Sequence, residues 1–288
     1  MEMDDRSSSK RNPGGPIRLG GGYAVKIIDL PPEHENLYFL CLEDWSDEIK
    51  EAGNHKECWY RKMKDKGLRV KLAADDDGKI GGMIQYVPIE HAFAEGKDLY
   101  FVHCIWVHGH KKGRGDFQKK GMGKALLRAA EEDARALGAK GMAAWGISLP
   151  FFMKASWFKK QGYTKTDKMG MQILLWKAFS DDAFPPKWIK PRKGPDIVPG
   201  KVTVTLFQNG WCPAGNMTSE RAKRAAAELG DKVLLCEYDT SDRDVFLEWG
   251  IPDALFVERK QIRTGPPPSY EKIKKAIKKK VKKLSKST

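Results

Sequence analysis

The passage that most restricts what this chain can become is a strand, a glycine-lysine loop and a helix in immediate succession. The run LYFVHCIWV at 99–107 is apolar, aromatic and β-branched, as a strand buried on both faces is. Residues 108–120 are dense in glycine and lysine. Beyond them Met122, Leu126, Leu127, Ala130, Ala134 and Leu137 recur on one face at helical spacing, and Gly138 supplies a stop. The junction reads Gln118, Lys119, Lys120, Gly121, Met122, Gly123, Lys124. A helix N-terminus offers unpaired backbone N–H groups and a partial positive charge. Glycines there let the backbone come close to a phosphate, and lysines attract one from a distance. The pattern predicts an anion cradle at a strand-to-helix turn; the plainer reading is a basic surface loop capping a helix. It is neither G-x-x-x-x-G-K-[ST], since Ala125 follows Lys124, nor G-x-G-x-x-G.

The remainder arranges itself around this passage as two domains. The chain has 288 residues, 41% of them apolar, enough for two ordinary cores. Residues 1–21 are polar and lack the apolar stretch of a secretory signal, so they read as a disordered leader. A strand is predicted at 23–28, helices from Pro32 towards Leu42 and over 57–66, and a hairpin of 69–74 with 79–87 about Asp75-Asp76-Asp77-Gly78. A strand at 141–147, a helix over 151–161 and a strand at 169–176 complete a first domain, 22–180. The proline-rich stretch 181–200 reads as a linker, and 201–288 as a second domain. No apolar run reaches the roughly 20 residues that span a bilayer. Five scattered cysteines without a C-x-x-C pair fit a reducing compartment and argue against a disulfide scaffold or a metal site. A cytoplasmic protein without a membrane partner is expected.

Here the motifs reach a family. Gln118-x-x-Gly121-x-Gly123 resembles the Q/R-x-x-G-x-G/A motif of the GNAT N-acetyltransferase superfamily, and Trp157-Phe158-Lys159-Lys160-Gln161-Gly162-Tyr163 is similar to its F-Y-x-K-x-G-F signature. The resemblance covers about residues 22–180. It implies an α/β fold with a mixed, V-splayed sheet and helices on both faces. It further implies acetyl-CoA as acyl donor, its pyrophosphate on the N–H groups of Lys119 to Lys124 and its pantetheine beside the backbone of Ile105, Trp106 and Val107. The activity implied is acetyl transfer to an amine, on a small molecule or a peptide.

The chain departs from that family at the chemistry. Phe158 stands where the family often has a tyrosine that protonates the leaving thiolate, and Phe151 where asparagine is frequent. Tyr163 and Ser156 are the nearby alternatives, and the thiolate can also leave unaided. Candidate bases are His103, on the cofactor strand, and Glu90, at the end of the preceding one. In a regular strand His103 and Cys104 point to opposite faces. His108 and His110, two residues apart without a carboxylate or thiolate nearby in sequence, read as a solvated loop and not as a metal site.

The second domain resembles a thioredoxin-like fold: a strand at 202–207, Trp211-Cys212-Pro213, a helix over 214–229, a strand at 233–238 and a short helix at 242–249. Gly250-Ile251-Pro252 stands where thioredoxins hold a cis-proline, but Gly215 replaces the second cysteine, so a dithiol cycle within the motif is impossible. Cys212 is a candidate reactive thiol, because a helix N-terminus lowers a thiol pKa, set against the plainer reading of an idle cysteine, whereas Cys236 reads as core. The alternative is a binding or dimerisation module. The formal charge of +14 favours polyanions. Much of it lies in a last helix from about Ser269, where Tyr270, Ile273, Ile277, Val281 and Leu284 keep helical spacing among lysines; this reads as a solvated face, with nucleic-acid binding as the alternative. Two further readings stand beside acetyl transfer: a non-catalytic CoA-binding module, and a thiol-handling protein centred on Cys212.

Overall fold

A computed structural model describes residues 17–19, 23–149, 152–263 and 265–286. Phe151 and most of the expected leader lie outside the described residues. Within that leader stretch, β1 (Ile17–Leu19) pairs antiparallel with β2 (Tyr23–Asp29), so at least these residues belong to the sheet. Two helices follow, α1 (Glu35–Phe39) and α2 (His55–Lys64), then β3 (Arg69–Ala74), β4 (Ile80–Pro88), β5 (Ala94–Glu95) and β6 (Leu99–Val107). The loop after β6 carries a small hairpin, β7 (Gly109–His110) with β8 (Gly115–Asp116). Next come α3 (Met122–Ala136), β9 (Gly141–Ile147), α4 (Ala155–Lys160), β10 (Thr164–Met169) and β11 (Gln172–Ala178). The single expected strand at 169–176 is thus two, folded about Gly170, whose φ of 59° suits glycine. The first of them, TKTDKM, is a polar edge strand with no apolar alternation to betray it.

The large sheet has eight strands in the order β1-β2-β3-β4-β6-β9-β11-β10, all neighbours antiparallel except β6 and β9. Its two faces carry separate cores. One gathers Tyr38, Leu42, Trp59, Met63, Leu72 and Phe101 with α1 and α2. The other gathers Val25, Ile84, Val102, Leu126, Ala130, Leu175 and Phe158 with α3 and α4.

The expected linker is a strap, not a free tether. Its β12 (Lys187–Trp188) pairs with β5, burying Trp188, and Arg192 N–H donates to the Trp249 carbonyl at 2.9 Å. The C-terminal lobe runs β13 (Val202–Gln208), α5 (Pro213–Leu229), β14 (Val233–Asp239), α6 (Arg243–Trp249), β15 (Ala254–Val257), β16 (Lys260–Ile262) and α7 (Tyr270–Leu284). Its sheet order is β14-β13-β15-β16, with β13 and β14 parallel and the rest antiparallel. Val202, Val204 and Leu206 face α5 and α7, while Phe207 packs with Trp249 and Ile251 on the other side. Cys236 is only half-buried, because β14 is an edge strand. The Ile251–Pro252 bond is not cis, contrary to the thioredoxin expectation; the one cis peptide among the described residues is Gly265–Pro266.

The lobes share a core. Trp211 and Phe246 belong to the same apolar cluster as Trp59, Phe93 and Phe101. Around it, the nearly buried Arg221 reaches Glu48 at 2.7 Å and Glu51 at 3.1 Å, His55 meets Glu220 at 2.7 Å, and Arg243 donates to the Ala92 carbonyl at 2.5 Å. Gly210 lies so close to the His55 carbonyl that a Cβ would sit 3.2 Å from it. Such a seam predicts one cooperative unfolding transition. Trp211→Ala, which empties a large aromatic site in that core, should cost about 3–5 kcal/mol and separate calorimetric unfolding into two transitions; a single unchanged transition would contradict a shared core.

Candidate functional site

The site begins where two strands part. β6 and β9 pair in parallel only from Leu99↔Gly141 to Val102↔Ala144. Beyond that β6 stays with β4 as far as Val107, and β9 stays with β11 as far as Ile147, so a wedge opens between them. The burial pattern follows: residues 99–104 are buried apart from Tyr100, whereas Ile105, Trp106 and Val107 are partly exposed. On the β9 side the wedge is lined by residues 153–154, since Ile147 N–H donates to the Met153 carbonyl at 2.8 Å and Ile147 bridges to Lys154. Gly146 is required there, because a Cβ would meet the Ala155 backbone at 2.7 Å. The β6 edge from Ile105 to Val107 has no strand partner on the wedge side among the described residues.

The open edge leads to the N-terminus of α3. Gly121 is its N-cap, with φ 85° and no side-chain cap. A left-handed N-cap leaves the first N–H groups of the helix unpaired within it. Met122 is buried and fixes the first turn, while Gly123 and Lys124 face outward. A Cβ on Gly123 would meet Trp157 at 3.4 Å and Val107 at 3.8 Å, which ties the turn to the end of β6. Gln118 N–H is taken by Asp116 at 2.9 Å, so Gln118 shapes the loop and does not leave its amide for an anion. Lys119 has φ 62°, an uncommon conformation for a residue with a side chain. The structure therefore brings Ile105, Trp106, Val107, Gly121, Met122, Gly123 and Lys124 along one line.

The basic loop before the turn exposes Lys111, Lys112 and Lys119 but is anchored by buried His108 and Phe117. His108 is fully buried; its Nδ1 lies 2.6 Å from the Gly115 carbonyl and its Nε2 accepts from Trp45 Nε1 at 3.0 Å. That corrects the expectation for His108, whereas His110 is exposed. No cluster of metal-ligating side chains occurs among the described residues.

His103 is placed differently from the regular-strand expectation. Gln85 pairs with Cys104 but Tyr86 with Val102, so His103 is an extra residue, a β-bulge in β6. The bulge turns His103 and Cys104 to the same core, with Val102 and Ile105 on the other. The imidazole is enclosed by Phe93, Phe101, Trp59 and Trp211 at ring separations of 4.8, 5.4, 5.5 and 5.6 Å, and neither ring nitrogen has a partner. Burial depresses its pKa to about 3, so it is neutral at every physiological pH. Its own carbonyl, at the vertex of the wedge, accepts from Trp145 Nε1 at 2.8 Å.

The other candidates lie apart. Glu90 is exposed on a 3-10 turn, Ile89–His91. Tyr163 is buried against Phe158, with the Glu131 carboxylate and burial both raising its pKa. Glu131 sits about 15 Å along α3 from Gly121. Phe158 is fully buried and Ser156 is exposed.

Cys212 also corrects an expectation. It is the N-cap of α5, and the N–H groups of Ala214 and Gly215 do lower its pKa, but burial outweighs them and pushes the thiol up to about 12. The same lobe contributes a residue that the sequence reading missed. Asp253 accepts from Asn209 N–H at 3.0 Å and Trp211 Nε1 at 3.1 Å, and burial raises its pKa to about 7. Only its position after Ile251-Pro252 hinted at it.

With the geometry in place, comparison gives the class. Residues 33–163 match the family model of the acetyltransferase (GNAT) family, which supports an acyl-CoA-dependent acetyltransferase. Among solved structures, a GNAT-family acetyltransferase from Staphylococcus aureus Mu50 is 14% identical with a TM-score of 0.41, covering 55% of this chain and 100% of its own. The PaiA N-acetyltransferase of Thermoplasma acidophilum in complex with coenzyme A is 17% identical, TM-score 0.38, covering 54% and 99%. A GNAT-family acetyltransferase from Brucella melitensis in complex with acetyl-CoA is 18% identical, TM-score 0.37, covering 56% and 91%. No curated protein matches the chain.

Two titrating groups give opposite pH effects on stability. His103 has a folded pKa near 3 against about 6.5 unfolded, so stability falls as pH drops through that window. Asp253 has a folded pKa near 7 against about 4 unfolded, so its contribution is full below pH 4 and lost as pH rises to 7. In denaturant titrations His103→Phe should flatten the loss of stability on the acid side and Asp253→Asn should remove a fall in stability between pH 4 and 7; unchanged slopes would refute the assigned environments. Alkylation of the native protein at pH 8 should label exposed Cys58 quickly and Cys212 only on unfolding.

Proposed function

We propose that the protein transfers an acetyl group from acetyl-CoA to a primary amine. The observation that carries this reading is the unpartnered edge of β6 from Ile105 to Val107 running into the left-handed Gly121 at the start of α3. An extended amide chain can add to such an edge by backbone hydrogen bonds. A diphosphate suits the N–H groups of Gly121, Met122, Gly123 and Lys124, with Lys119, Lys120 and Lys124 supplying positive charge. Phosphate binding and an amide-bearing arm, in that order, are the features of coenzyme A.

The chemistry runs on positioning more than on a side-chain base. Amine attack on a thioester needs a neutral nitrogen, and a histidine with pKa near 3 inside an aromatic cage is a weak proton acceptor. The amine loses its proton to water before or as it enters, and holding it against the thioester carbonyl supplies the rate. The leaving thiolate needs no dedicated acid, since thiols ionise near pH 8.5; Phe158 is in keeping with that, and Tyr163 is buried against Phe158 with its pKa raised by burial.

We read the C-terminal lobe, 201–288, as thioredoxin-like, a reading supported by the order β14-β13-β15-β16 with β13 and β14 parallel, and take 22–180 and 201–288 as two domains joined by the strap at 181–200. We read the lobe as a docking module, because Trp211 and Cys212, at the end where a redox protein exposes its thiol, are packed into the acetyltransferase domain. The thiol-handling alternative is disfavoured by the raised pKa of Cys212.

Calorimetry should detect acetyl-CoA binding that Gly121→Glu abolishes and Gly121→Ala weakens, the former by adding negative charge at the cradle and both by forcing a side chain into a left-handed N-cap costing about 1–2 kcal/mol. With a substrate amine, kcat/KM should climb tenfold per pH unit towards the amine's own pKa, with the same profile in His103→Gln. A plateau near pH 6–7 that this variant removes would reinstate His103 as base, and binding without turnover on any amine would leave the CoA-binding module.

A further inference from the structure

The last helix carries a charge pattern that acetyl transfer does not use. On one side of α7, Ile273, Ile277 and Val281 are buried against Val202, Val204 and Leu206 of β13 and Ala222 and Ala225 of α5. On the other, Lys272, Lys275, Lys278, Lys279 and Lys282 are exposed. From Ser269 to the end the sequence has nine lysines against the single Glu271, so this segment contributes +8 of the chain's +14. Lys274 is tied to Glu228 at 2.5 Å, but no carboxylate pairs with Lys275, Lys278, Lys279 or Lys282 among the described residues. Lys275 with Lys278 and Lys279, and Lys282 with the same two, stand three or four residues apart, where like charges on a helix repel. The free protein therefore holds a cationic ridge in which Glu228 and Glu271 are the nearby carboxylates, too few to balance its lysines.

We infer that this ridge binds the phosphate backbone of nucleic acid without regard to sequence. A 15-residue helix is about 22 Å long, the span of about six nucleotide steps on one strand. Lysine is a compact point charge that meets phosphate from any direction, and the ridge has no arginine, asparagine or glutamine to read a base edge. A bilayer surface is the lesser fit. Helices that lie in membranes bury an apolar face in the lipid, and the apolar row of α7 is already consumed by the lobe's own core.

The test uses the full chain and fluorescence anisotropy with labelled DNA duplexes of two unrelated sequences, about 20 base pairs each, across a salt series. Both sequences should bind alike, with log K falling linearly against log salt. The quadruple variant Lys275→Gln, Lys278→Gln, Lys279→Gln, Lys282→Gln should lower that slope by about 3–4 and lose at least tenfold in affinity at low salt. Its thermal midpoint should be equal to or above that of the parent, since repulsion is relieved. Absence of duplex binding, binding that the quadruple variant retains in full, or tighter binding to anionic phosphatidylserine vesicles at matched phosphate concentration would each overturn the proposal.

Discussion

Strands β6 and β9 run in register for four residues and then diverge, and most of what the molecule can do depends on that divergence. Two parallel strands that stayed paired would consume each other's N–H and C=O groups. Because β6 keeps its partner on one edge and loses it on the other, Ile105 to Val107 keep strand geometry with an open edge. On the opposite wall, residues 153–154 pair with the end of β9 at Ile147. Trp145 seals the vertex by donating to the His103 carbonyl at 2.8 Å, and Gly121 sets the far end. Strand, turn and helix dipole thus fall on a single path by the geometry of one unpaired edge.

The second lobe turns the logic of its own fold around. A thiol at a helix N-terminus is ordinarily activated by the N–H groups it caps. Here the same N–H groups are present, and desolvation nonetheless raises the pKa of Cys212. The difference lies in Trp211, whose packing on His103, Phe93 and Trp145 draws the whole turn under the sheet of the first lobe. Arg221, buried with Glu48 and Glu51 around it, is expensive to desolvate and repays that only while the lobes stay together.

Local signals were read well wherever one residue pattern decided the outcome. LYFVHCIWV marked β6 to the residue, and the glycines at 121 and 123 marked the start of α3. What escaped was set by non-local contacts. The bulge at His103 depends on how β4 registers against β6, and no periodicity within β6 encodes it. The burial of Cys212 and His108 depends on Trp211 and Trp45, which arrive from 108 and 63 residues away respectively in their contacts with His103 and His108. The strap at 187–188 was hidden because prolines around it remove the alternation that reveals a strand.

The aromatic cage around His103 bears on how such a site evolves a rate. A histidine whose two nitrogens lack partners is a costly core residue, since each unsatisfied buried polar atom forfeits a hydrogen bond with water. Converting it into a base would mean letting water or a carboxylate into the cage, which would loosen the contact between Trp211 and the first lobe and so the seam between the lobes. The two demands oppose each other: a dry vertex that holds the lobes and the wedge, or a wet one that moves protons. In this chain aromatic rings close the vertex around His103, and the partly exposed residues Ile105 to Val107 lie at the open end of the wedge.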